Sequence, residues 1–310
     1  MNHALVTGAA GFIGSHLTDA LLEKGFKVTG VDNLVTGNEK NIFHLSKNKN
    51  FSFEKLDIVK EVKVKGKVDF VFNLASPASP VDYAKIPMQT IFANSLGTKN
   101  ALDFALEKNA VFLDASTSEV YGDPLVHPQK ESYYGNVSLT GPRACYDESK
   151  RFGEMLTTYY GKELGLESRV ARIFNTYGPR MRADDGRVIP NFICQALRGK
   201  PITVYGKGNQ TRSFCYVSDL VEGLQKLAFS KFRGPVNLGN PVEMTILETA
   251  RKIKGLTHSR SAIAFRNLPK DDPAKRKPDI SLAKLKLKWQ PKVSFNEGIV
   301  KTIDFFAEKL

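Results

Sequence analysis

The sequence predicts an α/β fold: a doubly wound parallel sheet joined to a second, smaller α/β lobe. Three observations predict it. A short apolar strand, His3–Thr7, runs straight into Gly8-Ala9-Ala10-Gly11-Phe12-Ile13-Gly14. Strand candidates then alternate with helical patterns as far as Ile173, the sign of a parallel sheet built by crossover helices. Beyond Asn175 that alternation gives way to turn-rich segments separated by shorter helices.

The elements follow from periodicity. Ile13, Leu17, Ala20 and Leu21 recur at helical spacing, and Gly25 closes that helix. Lys27–Asp32 is the next strand; residues 51–53, 68–74, 111–115 and Ser168–Ile173 supply further strands. Helices are expected over 87–108 and 146–164. In the second half, a helix over 218–229 and a strand at 236–237 return to the first lobe, and a helix over 296–309 ends the chain. The expected domains are residues 1–174 with about 213–240, and about 175–212 with 241–310. Residues 271–277 are polar and proline-flanked, which predicts a loop.

Composition narrows the class. The 310 residues are 42% hydrophobic and 25% charged, ordinary for a globular protein with a sizeable core. Cys145, Cys194 and Cys215 show neither disulfide nor zinc spacing, and no base is spaced to activate Cys145 as a nucleophile, so no metal is expected. No basic leader precedes an apolar run, and no stretch reaches the roughly eighteen apolar residues of a membrane span, so a soluble, cytoplasmic protein is expected. The net charge of +13 reflects 45 basic against 32 acidic residues. Lysines such as Lys284, Lys286 and Lys288 read as a solvated face, and no basic block is interleaved with stacking aromatics, so no nucleic-acid partner is expected.

Two motifs carry chemistry. Gly8, Gly11 and Gly14 lie between a strand and a helix, where glycine lets the backbone approach a pyrophosphate at the helix N-terminus. Asp32 ends the second strand; its carboxylate suits a ribose diol and repels a 2′-phosphate, which favours NAD. Asp57 and Ile58, after the third strand, are placed to flank the adenine. Further along, Tyr146 and Lys150 stand four apart on one helix face, an arrangement in which an ammonium lowers the proton affinity of a phenol. Such a phenol takes a proton from a sugar hydroxyl. Thr117, Ser118 and Glu119 precede that pair by a helix-and-loop's distance.

Longer stretches carry a resemblance: 74–80, 116–124, 141–148, 171–180, 184–188, 210–214 and 271–279. Across essentially the whole chain the sequence resembles the extended short-chain dehydrogenase/reductase family of nucleotide-sugar enzymes, a Rossmann family. It is most similar to the branch that decarboxylates UDP-glucuronate to UDP-xylose. The resemblance implies that Tyr146 and Lys150, with bound NAD, oxidise the sugar at C4. That oxidation turns the uronate into a β-keto acid, which loses carbon dioxide through an enolate. It further implies Arg276 as the cation holding the carboxylate, Glu119 near C5, and Thr117 and Ser118 hydrogen-bonding around the hexose. To the cofactor set it adds Phe12, Ile13, Asn33, Thr36, Gly37, Leu74, Ser76, Thr176 and Arg182. To the substrate set it assigns Tyr83, Arg143, Asn175 and Arg212, with Tyr205 near the uracil, and it implies a homodimer pairing the helices over 87–108 and 146–164.

One position departs from the pattern: Phe92 stands where xylose-forming relatives often carry a lysine. Rival readings are weaker. A 4,6-dehydratase wants an acid where Ser118 stands, and a 4-epimerase leaves the Arg276 loop without a purpose. A non-catalytic dinucleotide-binding scaffold needs neither Glu119 nor the Tyr–Lys pair.

Overall fold

Strand alternation sets the layering. In the first strand Ala4 and Val6 point to one face of a sheet and Leu5 to the other, and all three are fully buried. A sheet whose strands are apolar on both faces must be covered on both, and helices do so here. The computed structural model describes residues 1–268 and 275–310. Its elements in chain order are β1 (His3–Thr7), α1 (Phe12–Glu23), β2 (Lys27–Asp32), β3 (Phe51–Lys55), β4 (Phe70–Asn73), α2 (Pro80–Lys85), α3 (Pro87–Phe92), α4 (Thr98–Glu107), β5 (Val111–Thr117), α5 (Ala144–Glu163) and β6 (Ser168–Ile173). There follow β7 (Thr176–Tyr177), α6 (Val188–Leu197), β8 (Ile202–Tyr205), β9 (Thr211–Ser213), β10 (Cys215–Tyr216), α7 (Val217–Phe229), β11 (Pro235–Leu238), β12 (Glu243–Thr245), α8 (Ile246–Leu256), β13 (Ile263–Arg266), β14 (Lys275–Arg276), α9 (Ser281–Leu287) and α10 (Phe295–Ala307).

Seven strands form one parallel sheet in the order β11-β6-β5-β4-β1-β2-β3. The chain runs outward from β1 in one direction and resumes at β4 in the other. Such a reversal leaves a crevice beyond the strands' carboxyl ends, where ligands bind in open α/β sheets. The turns after β1, β4 and β5 all open on that edge. One core cluster packs α1 and α7 under the sheet and continues through Ile189, Phe192 and Ile303 of the later helices. The second joins the opposite face to Ala101, Leu102 and Ala105 of α4 and Tyr160 of α5.

The remaining strands make small sheets: β8 with β13, β12-β9-β14, and β7 with β10. Within β12-β9-β14, Arg276 lies in register beside Arg212. The doubly wound parallel sheet stands as the sequence predicted, with two local differences. The helix expected over 87–108 is interrupted: Ala93–Gly97 is a π-helical turn between α3 and α4. Of the loop expected over 271–277, residues 271–274 lie outside the described residues, and Lys275–Arg276 is strand rather than loop because it pairs with β9.

Candidate active site

The cofactor end is built from backbone. Gly8 has a φ of +70°, and a Cβ there would press within 2.9 Å of the Leu74 and Ala75 backbone. A Cβ on Gly14 would overlap the Gly8 carbonyl. Gly11 caps α1, whose first turn, including Phe12 and Ile13, carries no acidic side chain, so its amides are left to an anion. Asp32 is buried and accepts from the Ala10 and Leu34 amides at 3.1 and 2.8 Å. Burial raises its pKa while those two hydrogen bonds oppose the rise. Gly37 lies against that carboxylate, with 2.7 Å from a built Cβ to Asp32 Oδ1. A cradle that side chains would fill, ending at an acid on the second strand, fits a dinucleotide with a free ribose diol.

Other expected cofactor residues border this cradle. Asn33 accepts from the Val35 amide at 3.1 Å, Asp57 from the Val59 amide at 3.0 Å, and Ile58 is buried. The Leu74 amide donates to the Thr7 hydroxyl at 3.1 Å; Ser76 and Thr176 hydroxyls donate to the Pro77 and Phe174 carbonyls at 3.4 and 2.9 Å. Arg182 Nη2 donates to both Asp82 carboxylate oxygens, at 2.7 and 2.9 Å, and its Nη1 reaches the Thr36 carbonyl at 3.5 Å.

At the sugar end, β5 delivers Thr117, which caps the 3-10 turn Ser118–Tyr121 by accepting from the Glu119 amide at 3.2 Å. Helix α5 brings Tyr146 beneath it. The Tyr146 ring is buried and stacked on Tyr83 at 5.1 Å and 10°. Burial pushes the Tyr146 phenol well above its ordinary pKa, with Thr117 opposing, and Lys150 is not among its leading influences. The Lys150 ammonium instead donates to the Ala115 carbonyl at 2.9 Å, on the strand behind the phenol.

Glu119 is the hub. Its two oxygens pair with Arg143 and Arg276. Burial opposes its ionisation, but Arg276, Arg143 and Arg212 together overcome that and hold the carboxyl at about 2. Arg276 is only 2% exposed, donates also to the Gly122 carbonyl at 2.7 Å, and has an Nε with no partner among the described residues. The Asn175 Oδ1, the Tyr83 hydroxyl and the Asp147 Oδ1 are likewise buried without a partner among them. Unsatisfied buried groups are costly, and at a crevice they point to a ligand. Arg212 is buried beside Arg276, whereas Tyr205, at the end of β8, is 44% exposed.

Sequence reasoning missed Asp147 and Arg187. Asp147 lies 3.9 Å from Arg143 Nε, and Arg187, held by Asp185, acts electrostatically on Tyr146. Both sit inside stretches that carried the resemblance, the only signal they gave. Phe92 stands apart from this network, half exposed on α3.

Residues 4–239 match the family described as NAD dependent epimerase/dehydratase. The chain belongs to that family. It is 53% identical over 306 residues to UDP-glucuronic acid decarboxylase 1 of Danio rerio, covering 99% of this chain and 73% of the relative. It is 51% identical to UDP-glucuronic acid decarboxylase 1 of Arabidopsis thaliana, covering 99% and 70%. Among solved structures it is similar to UDP-glucuronic acid 4-epimerase from Bacillus cereus, crystallised with UDP-glucuronic acid and NAD, with TM-score 0.89 and 28% identity over 99% of this chain and 100% of that one.

Proposed function

We propose that the protein decarboxylates UDP-glucuronate to UDP-xylose, with NAD bound and recycled. The observation that carries this reading is the buried Arg276, paired with a carboxylate beside Tyr146. A site for a neutral hexose has no need of such a cation. The substrate's uronate takes the place that Glu119 occupies on Arg276. Bound NAD supplies a two-electron oxidation at C4 and its reversal.

The chain's own residues do the rest. Tyr146, in the phenolate form that the charge of Arg187 favours, takes the C4 hydroxyl proton and later returns it. With C4 oxidised, the C5–C6 bond breaks, its electrons move into the C4 carbonyl as an enolate, and carbon dioxide leaves. Glu119, released from Arg276, gains proton affinity, takes up a proton from solvent water and passes it to C5, returning to the carboxylate as the enolate becomes a ketone. Asn175, Arg143 and Arg212 are assigned to the phosphates and sugar, Tyr83 to the hexuronate and Tyr205 to the uracil.

The same proposal takes residues 1–174 with 213–240 as the cofactor lobe and the rest as the sugar-nucleotide lobe. It also places the protein in the cytoplasm as a homodimer that binds neither nucleic acid nor membrane. Three free cysteines suit a reducing compartment; among the described residues no helix is long and apolar enough to cross a membrane.

Incubation with UDP-glucuronate and NAD, followed by NMR of the nucleotide sugar, tests the reaction. UDP-xylose and carbon dioxide are expected. UDP-galacturonate would install the epimerase reading, and unchanged substrate the scaffold reading. Arg276→Ala is expected to slow carbon dioxide release by at least about 100-fold while leaving the affinity for UDP unchanged.

A further inference from the structure

Arg276 stands on β14, a strand of two residues, too short to hold its place by its own pairing. On one side β14 pairs with β9, where the Ser213 hydroxyl also donates to the Arg276 carbonyl at 3.2 Å. The residues that follow β14 are taken up by Gln129, which is fully buried. The Gln129 amide donates to the Lys277 carbonyl at 2.9 Å, and the Asp279 amide donates to the Gln129 carbonyl at 2.8 Å, a parallel bridge opposite Pro278. So far this is backbone pairing, which any residue but proline could make at position 129.

The side chain adds what only a carboxamide of this length can. Gln129 Oε1 accepts from the Lys277 amide at 2.8 Å, and its Nε2 donates to the Val126 carbonyl at 2.8 Å. A backbone N–H only donates and a carbonyl only accepts, so the carboxamide fits one way round. Both backbone polar groups of Lys277, the residue directly after the arginine, thus end on Gln129. Asn237 of β11, also fully buried, fixes the segment from a second direction. The Tyr121 hydroxyl accepts from Arg172 Nη1 at 2.9 Å and donates to Asn237 Oδ1 at 2.8 Å. With its oxygen so engaged, Asn237 gives its NH2 to the Gln129 and Asp279 carbonyls at 3.0 and 3.1 Å.

We propose that Gln129, backed by Asn237, is a positioning residue that holds the backbone of Arg276 so that its guanidinium stands where the uronate enters. The role rests on reading Arg276 as the cation for the substrate's carboxylate. The guanidinium itself goes to Glu119 and to the Gly122 carbonyl, so Gln129 acts on where the arginine starts from, not on its charge. A planar fork on a long stem meets a carboxylate in the right geometry only if its own support is fixed. Gln129 therefore governs the preference for a nucleotide sugar that carries a carboxylate, and leaves the affinity for the nucleotide alone.

Calorimetry on the NAD-loaded Tyr146→Phe protein, which binds UDP-glucuronate without consuming it, tests this. Gln129→Met, added to that background, keeps the length of the side chain but not its amide. It is expected to weaken UDP-glucuronate at least about fivefold, while UDP and UDP-xylose, which lack the carboxylate, stay within about twofold. Arg276→Ala in the same background tests the underlying reading by itself and is expected to show the same selective loss. If Arg276→Ala is selective but Gln129→Met changes nothing, or weakens all three ligands alike, the role of Gln129 is overturned and the clamp stands. If Arg276→Ala is not selective, the clamp falls instead, and a crystal structure of Gln129→Met decides the positioning. There the Arg276 guanidinium is expected to have left Glu119 and the Gly122 carbonyl; an unmoved guanidinium overturns the proposal. Should Gln129→Met not fold, Gln129→Asn, one methylene too short to serve both Lys277 and Val126, replaces it with the same expected and overturning results.

Discussion

Asp147 and Glu119 share the Arg143 guanidinium but answer pH in opposite senses. Burial, then the charge of Glu119, pushes the Asp147 carboxyl up from 3.8 to about 7, against Arg143 and Arg276. The folded protein thus keeps a proton that the unfolded chain releases, so Asp147 erodes stability as pH climbs from about 4 to 7. Glu119, held at about 2, does the reverse: its stabilisation is present above the unfolded value of 4.5 and is lost as pH falls through about 2. Asp147→Asn removes only the first effect. Urea unfolding of the variant and parent should coincide near pH 4 and diverge as pH rises. By pH 8 the variant should be the more stable by about 2–4 kcal/mol, from roughly three units at about 1.4 kcal/mol each, discounted for coupling. A constant gap between the two curves would mean that the carboxyl does not titrate there.

At the scale of elements, the turn between β1 and α1 makes the sharpest demand on sequence. A methyl on Gly14 would overlap the Gly8 carbonyl, and Gly8 cannot yield, since its φ of +70° and the Leu74 backbone already confine it. Gly14→Ala is expected to cost about 1–3 kcal/mol of stability, and to weaken NAD binding at least tenfold by calorimetry while leaving the affinity for UDP intact. Equal loss of both ligands would point to general unfolding instead. This turn was legible in the sequence because its causes are local: glycines, a strand before them, a helix after. The break at Ala93–Gly97 was not. There the π turn lets Asn94 donate to the Ser149 hydroxyl at 3.0 Å, a contact 55 residues away that no helical periodicity records. The Glu119 hub was illegible for the same reason. Arg143 and Arg276 stand 24 and 157 positions from it, so the resemblance named the residues but not the bonds among them. Lys150 shows the limit of a motif: four-residue spacing put it on the Tyr146 face, while the Ala115 carbonyl of β5 takes its ammonium.

For the molecule as a whole, both faces of the sheet are covered, yet the outer side of the α3–α5 pair is not. Met88, Phe92 and Leu96 recur every four residues along α3 and the π turn, and Phe152, Met155 and Tyr159 recur at helical spacing along α5. All six are between 43% and 56% exposed. Contiguous apolar surface of this kind marks an interaction face, and phenylalanine at position 92 extends it where a lysine would interrupt it. We propose as its occupant a second copy of the chain about a two-fold axis, the homodimer that the family resemblance implies, in which each helix pair would meet its own image. Fully burying one such side chain contributes about 1.5–3 kcal/mol, enough in sum to offset the cost of association. Phe152→Glu with Met155→Glu places four carboxylates across that axis without touching the buried residues of α5. Sedimentation equilibrium at micromolar concentration is expected to give about 69 kDa for the parent, twice the 34.4 kDa chain, and the single-chain mass for the double variant. A parent that sediments as one chain would dismiss the dimer; a double variant that remains at twice the mass would move the two-fold axis to another face.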